Sequence, residues 1–165
     1  MTDSLSHIAL FADLPAHTRA ALAAAMVDEV FEPGSVLFHE GARAQGHQGL
    51  YVLRDGSLTV SVQRPEGGFS VLRSLAPGEV VGIIGLIQSE ATRRATVVAG
   101  SAVRVSHLTR PAFLALVHSD PRTACAFYEV LAHQLVHDLR MVDHALQRAV
   151  NREDPSRPIT TLAPR

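Results

Sequence analysis

Two glycines and two arginines in one stretch are the residues of this chain best placed to do chemistry. They lie in Pro77-Gly-Glu-Val-Val-Gly-Ile-Ile-Gly-Leu-Ile-Gln-Ser-Glu-Ala-Thr-Arg-Arg-Ala-Thr96. Glycine at 82 and 85 lets backbone N–H groups face outward around an apolar turn. Arg93 and Arg94 follow where a guanidinium, charged at every physiological pH, can complete a cradle for an anion. Such a set holds a negative charge; it does not break bonds.

No nucleophile–base arrangement accompanies it. Gly-x-Ser-x-Gly, a Walker-type loop and paired carboxylates in an apolar setting are all missing from the sequence, so no catalytic residues and no enzyme activity are expected. The nine histidines invite a metal reading. His133 and His137 share one helix face, but a closed zinc site needs further ligands, and Arg140 on the same face opposes a cation. His39, Glu40 and His47 lie near the first expected strands without the close histidine pair of a cupin-type metal enzyme, which is the weakest alternative. No metal and no resident cofactor are expected. The single cysteine, Cys125, excludes an internal disulfide and a four-thiolate cluster.

The 165 residues suffice for one domain with a core, and 47% of them are hydrophobic. Fifteen basic against sixteen acidic side chains argue against a dedicated nucleic-acid surface. No segment reads as a signal peptide or a membrane span, so a cytoplasmic protein is expected, with no membrane partner.

The elements that must position the four residues are legible from punctuation and periodicity. Residues 4–28 read as an N-terminal helical segment, with a helix from Pro15 to about Asp28 and Leu22, Met26 and Val27 on its buried side. Strand-length runs occur at 36–39, 50–54, 58–63, 69–75, 95–99 and 102–108, separated by Pro-Gly, Glu-Gly, Asp-Gly and Gly-Gly turns. Asp55-Gly56 signals a hairpin between the second and third of these. The fold class is therefore α+β, with residues 29–108 as an antiparallel, jelly-roll-like β-roll (a double-stranded β-helix) and a sandwich as the alternative. Residues 109–150 return to helix. Thr109 is the N-cap of a short helix, and Asp120-Pro121 opens a long one to about Arg148. In the long helix Tyr128, Ala132, Leu135, Leu139, Val142, Leu146 and Ala149 recur at four- and three-residue steps, the seam of a self-pairing helix. A helix packed on its own roll is the alternative. Residues 151–165 read as a flexible tail.

This ordered set resembles the cyclic-nucleotide-binding domain of the catabolite activator protein and of protein kinase A regulatory subunits. The likeness rests on Phe31-Glu-Pro-Gly34, Glu40-Gly41, Leu50-Tyr-Val-Leu53, Gly56, Pro77-Gly-Glu79, Gly82 and Arg93-Arg-Ala-Thr96, and runs from about Leu10 to Arg148, within a domain of residues 1–150. It implies a phosphate-binding cassette of Gly82, Ile83, Ile84, Gly85, Leu86, Arg93, Arg94, Ala95 and Thr96, with Arg93 pairing with the phosphate of cAMP or cGMP. Separately, the seam of the long helix through Leu135, Leu139, Val142 and Leu146 gives a homodimer as the expected assembly.

The cassette departs from the family pattern. Ile83 stands where the family places a glutamate that accepts the ribose 2′-hydroxyl, and Glu79 starts too early to replace it. Arg94 stands where the family has a small residue. Asp138 falls at the position of a base-reading threonine, where a carboxylate can accept from guanine; a solvated helix residue is the alternative. Weak cyclic-nucleotide binding follows. The transcription factors of the family need a helix-turn-helix after the long helix, and no DNA-binding domain is expected here. The chain reads as a non-enzymatic regulatory sensor for a nucleotide or other anionic small molecule, signalling through its C-terminal helix to an effector the sequence does not name. The alternative is a vestigial fold acting as a dimerisation or protein-interaction module.

Overall fold

The computed structural model describes residues 5–42, 48–88 and 92–153. Contacts divide the chain into two compact units, Met1–Val130 and Leu131–Arg165.

The first unit opens with a short 3₁₀ turn (Ala9–Phe11) and α1 (Ala16–Ala25). Eight strands follow: β1 (Val27–Phe31), β2 (Val36–Phe38), β3 (Gly49–Asp55), β4 (Leu58–Gln63), β5 (Phe69–Leu75), β6 (Val80–Val81), β7 (Thr96–Ala99) and β8 (Val103–Thr109). A single-turn helix α2 (Ile83–Ile87) lies between β6 and β7, and α3 (Arg110–Ser119) follows β8. The strands form two antiparallel four-stranded sheets, ordered β1-β8-β3-β6 and β2-β7-β4-β5. This is the expected antiparallel roll. Its interior is filled by alternate residues of both sheets, among them Tyr51, Leu53, Leu58, Val60, Val97, Val103 and Val105.

Three local expectations are corrected. α1 ends at Ala25, not near Asp28, because Val27–Phe31 pairs with β8 from Val27 opposite His107 to Phe31 opposite Val103. Leu22 is buried as expected, but Val27 is exposed. The Asp55-Gly56 turn does not close a hairpin: β3 pairs with β8 and β6, whereas β4 pairs with β5 and β7. The turn carries the chain from one sheet to the other. The local hairpin is β4–β5, closed by Gly67 N–H donating to the Arg64 carbonyl.

Helix starts follow the cap signals. The Thr109 hydroxyl accepts from Ala112 N–H at 3.2 Å. Asp120 Oδ1 accepts from Thr123 N–H at 3.1 Å, opening α4 (Pro121–Glu153). The second unit holds the remainder of α4. There Leu135 is half-buried, while Leu139, Val142 and Leu146 are exposed. α4 runs to Glu153, so residues 151–153, expected as tail, are helical instead of following a helix that ends near Arg148. The side chain of Ala149, the rest of the expected tail from residue 154 and segment 89–91 of the cassette lie outside the described residues.

Candidate anion-binding site

The site is built around the entry to α2. Gly82, its N-cap, has φ +95, a left-handed conformation natural to glycine. The residue is also tight against β3, since a Cβ there would collide with the Gly49 carbonyl. Ile83 and Leu86 turn inward and are buried; Ile84 and Ile87 are exposed. Gly85 also faces inward, and its lack of a side chain makes room for another group. A Cβ at Gly85 would lie 2.8 Å from Arg93 Nη1 and 3.2 Å from its Cζ.

Arg93 therefore rests its guanidinium on the first turn of α2. It is only 6% exposed. Its Cζ stands 4.0 Å from the centroid of the Phe38 ring, a cation–π contact. Its backbone is fixed from both sides: Gly41 N–H donates to the Arg93 carbonyl at 2.8 Å, and Arg93 N–H donates to the Ala42 carbonyl at 3.1 Å. Burial lowers the pKa of the guanidinium from the usual arginine value, with Tyr51 acting in the opposite direction. Arg94, its neighbour, is exposed. Ala95 is half-buried, and the buried Thr96 hydroxyl accepts from Glu40 N–H at 3.0 Å.

Behind Phe38 a row of rings crosses the roll interior. Phe38 and Tyr51 have centroids 5.9 Å apart, and Tyr51 stacks on His107 at 3.9 Å with an interplanar angle of 13°. Tyr51 and His107 are direct partners across β3 and β8, which explains the close stack. His107 Nδ1 lies 2.6 Å from Glu29 Oε1 on β1. Burial first, and then the Glu29 charge, push the Tyr51 hydroxyl up to about 12, while Arg93 pulls it down.

The fold thus gathers Gly82, Ile83, Gly85, Leu86 and Arg93 at one place, whereas Ile84 and Arg94 lie on the surface. Phe38, Tyr51, His107 and Glu29 were not anticipated from the sequence. The register of β3 and β8 could have found two of them, since Tyr51 and His107 share parity with the core residues Leu53 and Val105. Glu79, the carboxylate nearest the turn in sequence, is occupied elsewhere, accepting from Ala76 N–H at 2.8 Å. In the second unit Asp138 is exposed and accepts from Gln134 Nε2 at 2.8 Å. Among the described residues no group of three or more His, Cys, Asp or Glu is placed to hold a metal ion, and no helix is long and apolar enough to cross a membrane.

A roll of this topology with a glycine-capped turn and a buried arginine defines a cyclic-nucleotide-binding fold. The family model "Cyclic nucleotide-binding domain" matches residues 28–120, and the chain belongs to that family. It is 29% identical over 101 residues to the cAMP-activated global transcriptional regulator CRP of Salmonella typhimurium, covering 61% of this chain and 47% of that protein. Over 87 residues it is 31% identical to the Escherichia coli O6:H1 protein of the same name, covering 53% and 40%. The chain therefore spans less than half the length of these curated relatives. Among solved structures, Thermus thermophilus catabolite activator protein superposes with a TM-score of 0.74 at 26% identity, covering 86% of this chain and 62% of that one. The N-terminal domain of a Streptomyces coelicolor transcriptional regulator gives 0.70 at 27%, covering 87% and 94%.

Proposed function

We propose that this domain is a regulatory sensor that takes a nucleotide or other small anionic molecule at the α2 turn and signals through self-association of its C-terminal helix. Arg93 carries the reading: a guanidinium only 6% exposed, resting on the glycine turn and fixed by backbone bonds on both sides. A charged group already fixed in place in a poorly solvated setting binds an anion with little reorganisation. The kinship with regulators described as cAMP-activated supports a phosphate-bearing ligand.

Ile83 offers no acceptor to a ribose hydroxyl. A hydrogen bond to a charged group is worth about 1.5–3 kcal/mol, so cAMP and cGMP should bind roughly ten- to hundredfold more weakly than they would with a carboxylate there. The ligand favoured by this site carries a phosphate or similar anion and does not depend on a 2′-hydroxyl. Exposed Leu139, Val142 and Leu146 give the C-terminal helix an apolar seam with which to meet a second copy.

Calorimetric titration with cAMP, cGMP, cyclic dinucleotides and inorganic phosphate tests the proposal. At least one should give saturable heat, weakened tenfold or more in Arg93→Gln. One observation favours a second reading, a vestigial site on an interaction module: Arg93 already packs against Phe38 on the turn it would share with a ligand. Under that reading no probe gives heat, and Arg93→Ala self-associates as wild type does.

A further inference from the structure

A second cavity, of about 680 Å³, opens in the first unit where the N-terminal helical segment meets the β1-β8-β3 face. That volume is in the range of small-molecule sites. The end of α1 contributes Ala23 and Met26 to its lining, and the strands contribute Asp28, Arg54, Arg104 and Ser106.

The polar side of this cavity is organised. The register of β3 against β8 slips between Leu53 and Asp55, so Arg54 is the extra residue of a bulge, a device that re-aims a side chain. Arg54 Nε donates to Ser106 Oγ at 2.8 Å, and Ser106 Oγ donates to Asp28 Oδ1 at 2.6 Å. A hydroxyl only 2% exposed therefore orients one cation and one anion across three strands. Arg104 stands beside them, with Nη2 3.2 Å from Asp55 Oδ2 in a pair exposed on both sides. Burial lowers the Arg54 pKa from the usual arginine value, with Asp28 opposing the shift and Arg104 adding to it. The two guanidiniums thus feel each other's charge.

The lining carries two guanidiniums, Arg54 and Arg104, one carboxylate, Asp28, and the imidazole of His7. A ligand with one net charge would meet its complement and leave the opposite pole facing it. A ligand carrying both charges matches both poles. We propose that this cavity binds an aliphatic α-amino acid, its carboxylate on Arg54 and Arg104, its ammonium on Asp28 and its side chain against Ala23 and Met26.

The test is an amide-resolved NMR titration of the full chain with L-leucine, with isocaproate (no ammonium) and with leucinamide (no carboxylate). Leucine should shift the amides of Ala23, Met26, Asp28 and Ser106 saturably, with a dissociation constant on the order of 1 mM, and leave Gly82–Leu86 unmoved. Each analogue should bind at least tenfold more weakly, and so should leucine to Arg104→Gln, a change at an exposed side chain that leaves the core intact. The proposal is overturned by the absence of saturable shifts up to about 20 mM leucine, some twentyfold above that constant. An analogue binding as tightly as leucine, or undiminished binding to Arg104→Gln, overturns it equally.

Discussion

The two glycines of the α2 turn should respond oppositely to the same substitution. At Gly82, alanine must adopt φ +95 and place a Cβ into the Gly49 carbonyl. The left-handed conformation costs roughly 1–2 kcal/mol for an L-residue. The collision is with backbone on a strand in the middle of a sheet, so relief needs a main-chain shift, worth about 1–3 kcal/mol by the usual cost of overpacking. Gly82→Ala should therefore lose about 2–5 kcal/mol. At Gly85 the nearest atom to a new Cβ is Arg93 Nη1, 2.8 Å away at the far end of a flexible side chain. The guanidinium can swing aside. Its contact with Phe38 is worth about 0.5–2 kcal/mol, and alanine returns about 0.5–1 kcal/mol of helix propensity. Gly85→Ala should stay within about 1 kcal/mol of wild type.

Urea unfolding reads this directly. With a slope of about 1–3 kcal/mol per molar, Gly82→Ala should lower the midpoint by about 1–3 M and Gly85→Ala by well under 1 M. Displacing Arg93 should at the same time weaken any anion that the wild type binds by about tenfold or more. Equal destabilisation by the two substitutions would refute the account of which atoms each glycine makes room for. So would a Gly85→Ala protein that folds and binds its anion as tightly as wild type.

Two further outcomes follow from the same geometry. The Tyr51 hydroxyl is held up at about 12, above its ordinary value near 10, so the folded state favours the neutral phenol. The stability this confers is complete below pH 10 and is lost as pH rises from about 10 to 12, roughly 2–3 kcal/mol in all. Unfolding midpoints measured across that window should fall for wild type and stay nearly flat for Tyr51→Phe; parallel curves would refute the assignment. In the second unit Leu139 is 60% exposed on the apolar seam. Leu139→Glu should convert a dimer to a monomer in light scattering without changing the unfolding midpoint of the roll, and an unchanged mass would exclude this face as the contact.

The sheet strands were legible because their signals are local. Alternation in Leu58–Gln63 and glycine-bearing turns mark where strands start and stop. What the sequence hides is pairing at a distance. Asp55-Gly56 is a true turn, but its flanking strands find partners in different sheets, and no local pattern distinguishes a hairpin from a corner. β1 was obscured because an alanine-rich helix runs almost directly into Val27-Asp-Glu-Val-Phe31. Its inward Glu29 looks out of place until the partner, His107, arrives 78 residues later. The arginine pair shows the same limit. Its two members are indistinguishable in sequence, yet one is buried and the other exposed, because Gly85 and Phe38 leave room for a single guanidinium.

That asymmetry decides which arginine matters. An exposed guanidinium such as Arg94 gains about 0–1 kcal/mol from an ion pair, and salt screens it. Arg93 is 6% exposed and packs its guanidinium against the Phe38 ring and the α2 turn, where salt screens a charge far less. Burial lowers its pKa from the usual arginine value. Tyr51 opposes that shift, and burial and the Glu29 charge in turn raise the Tyr51 pKa. The row Arg93, Phe38, Tyr51, His107, Glu29 places a cation at one end and an acid at the other. An anion arriving at the turn would meet a guanidinium shielded from solvent, where salt competes poorly. On the proposed reading, Arg93 rather than Arg94 carries the affinity for the anion.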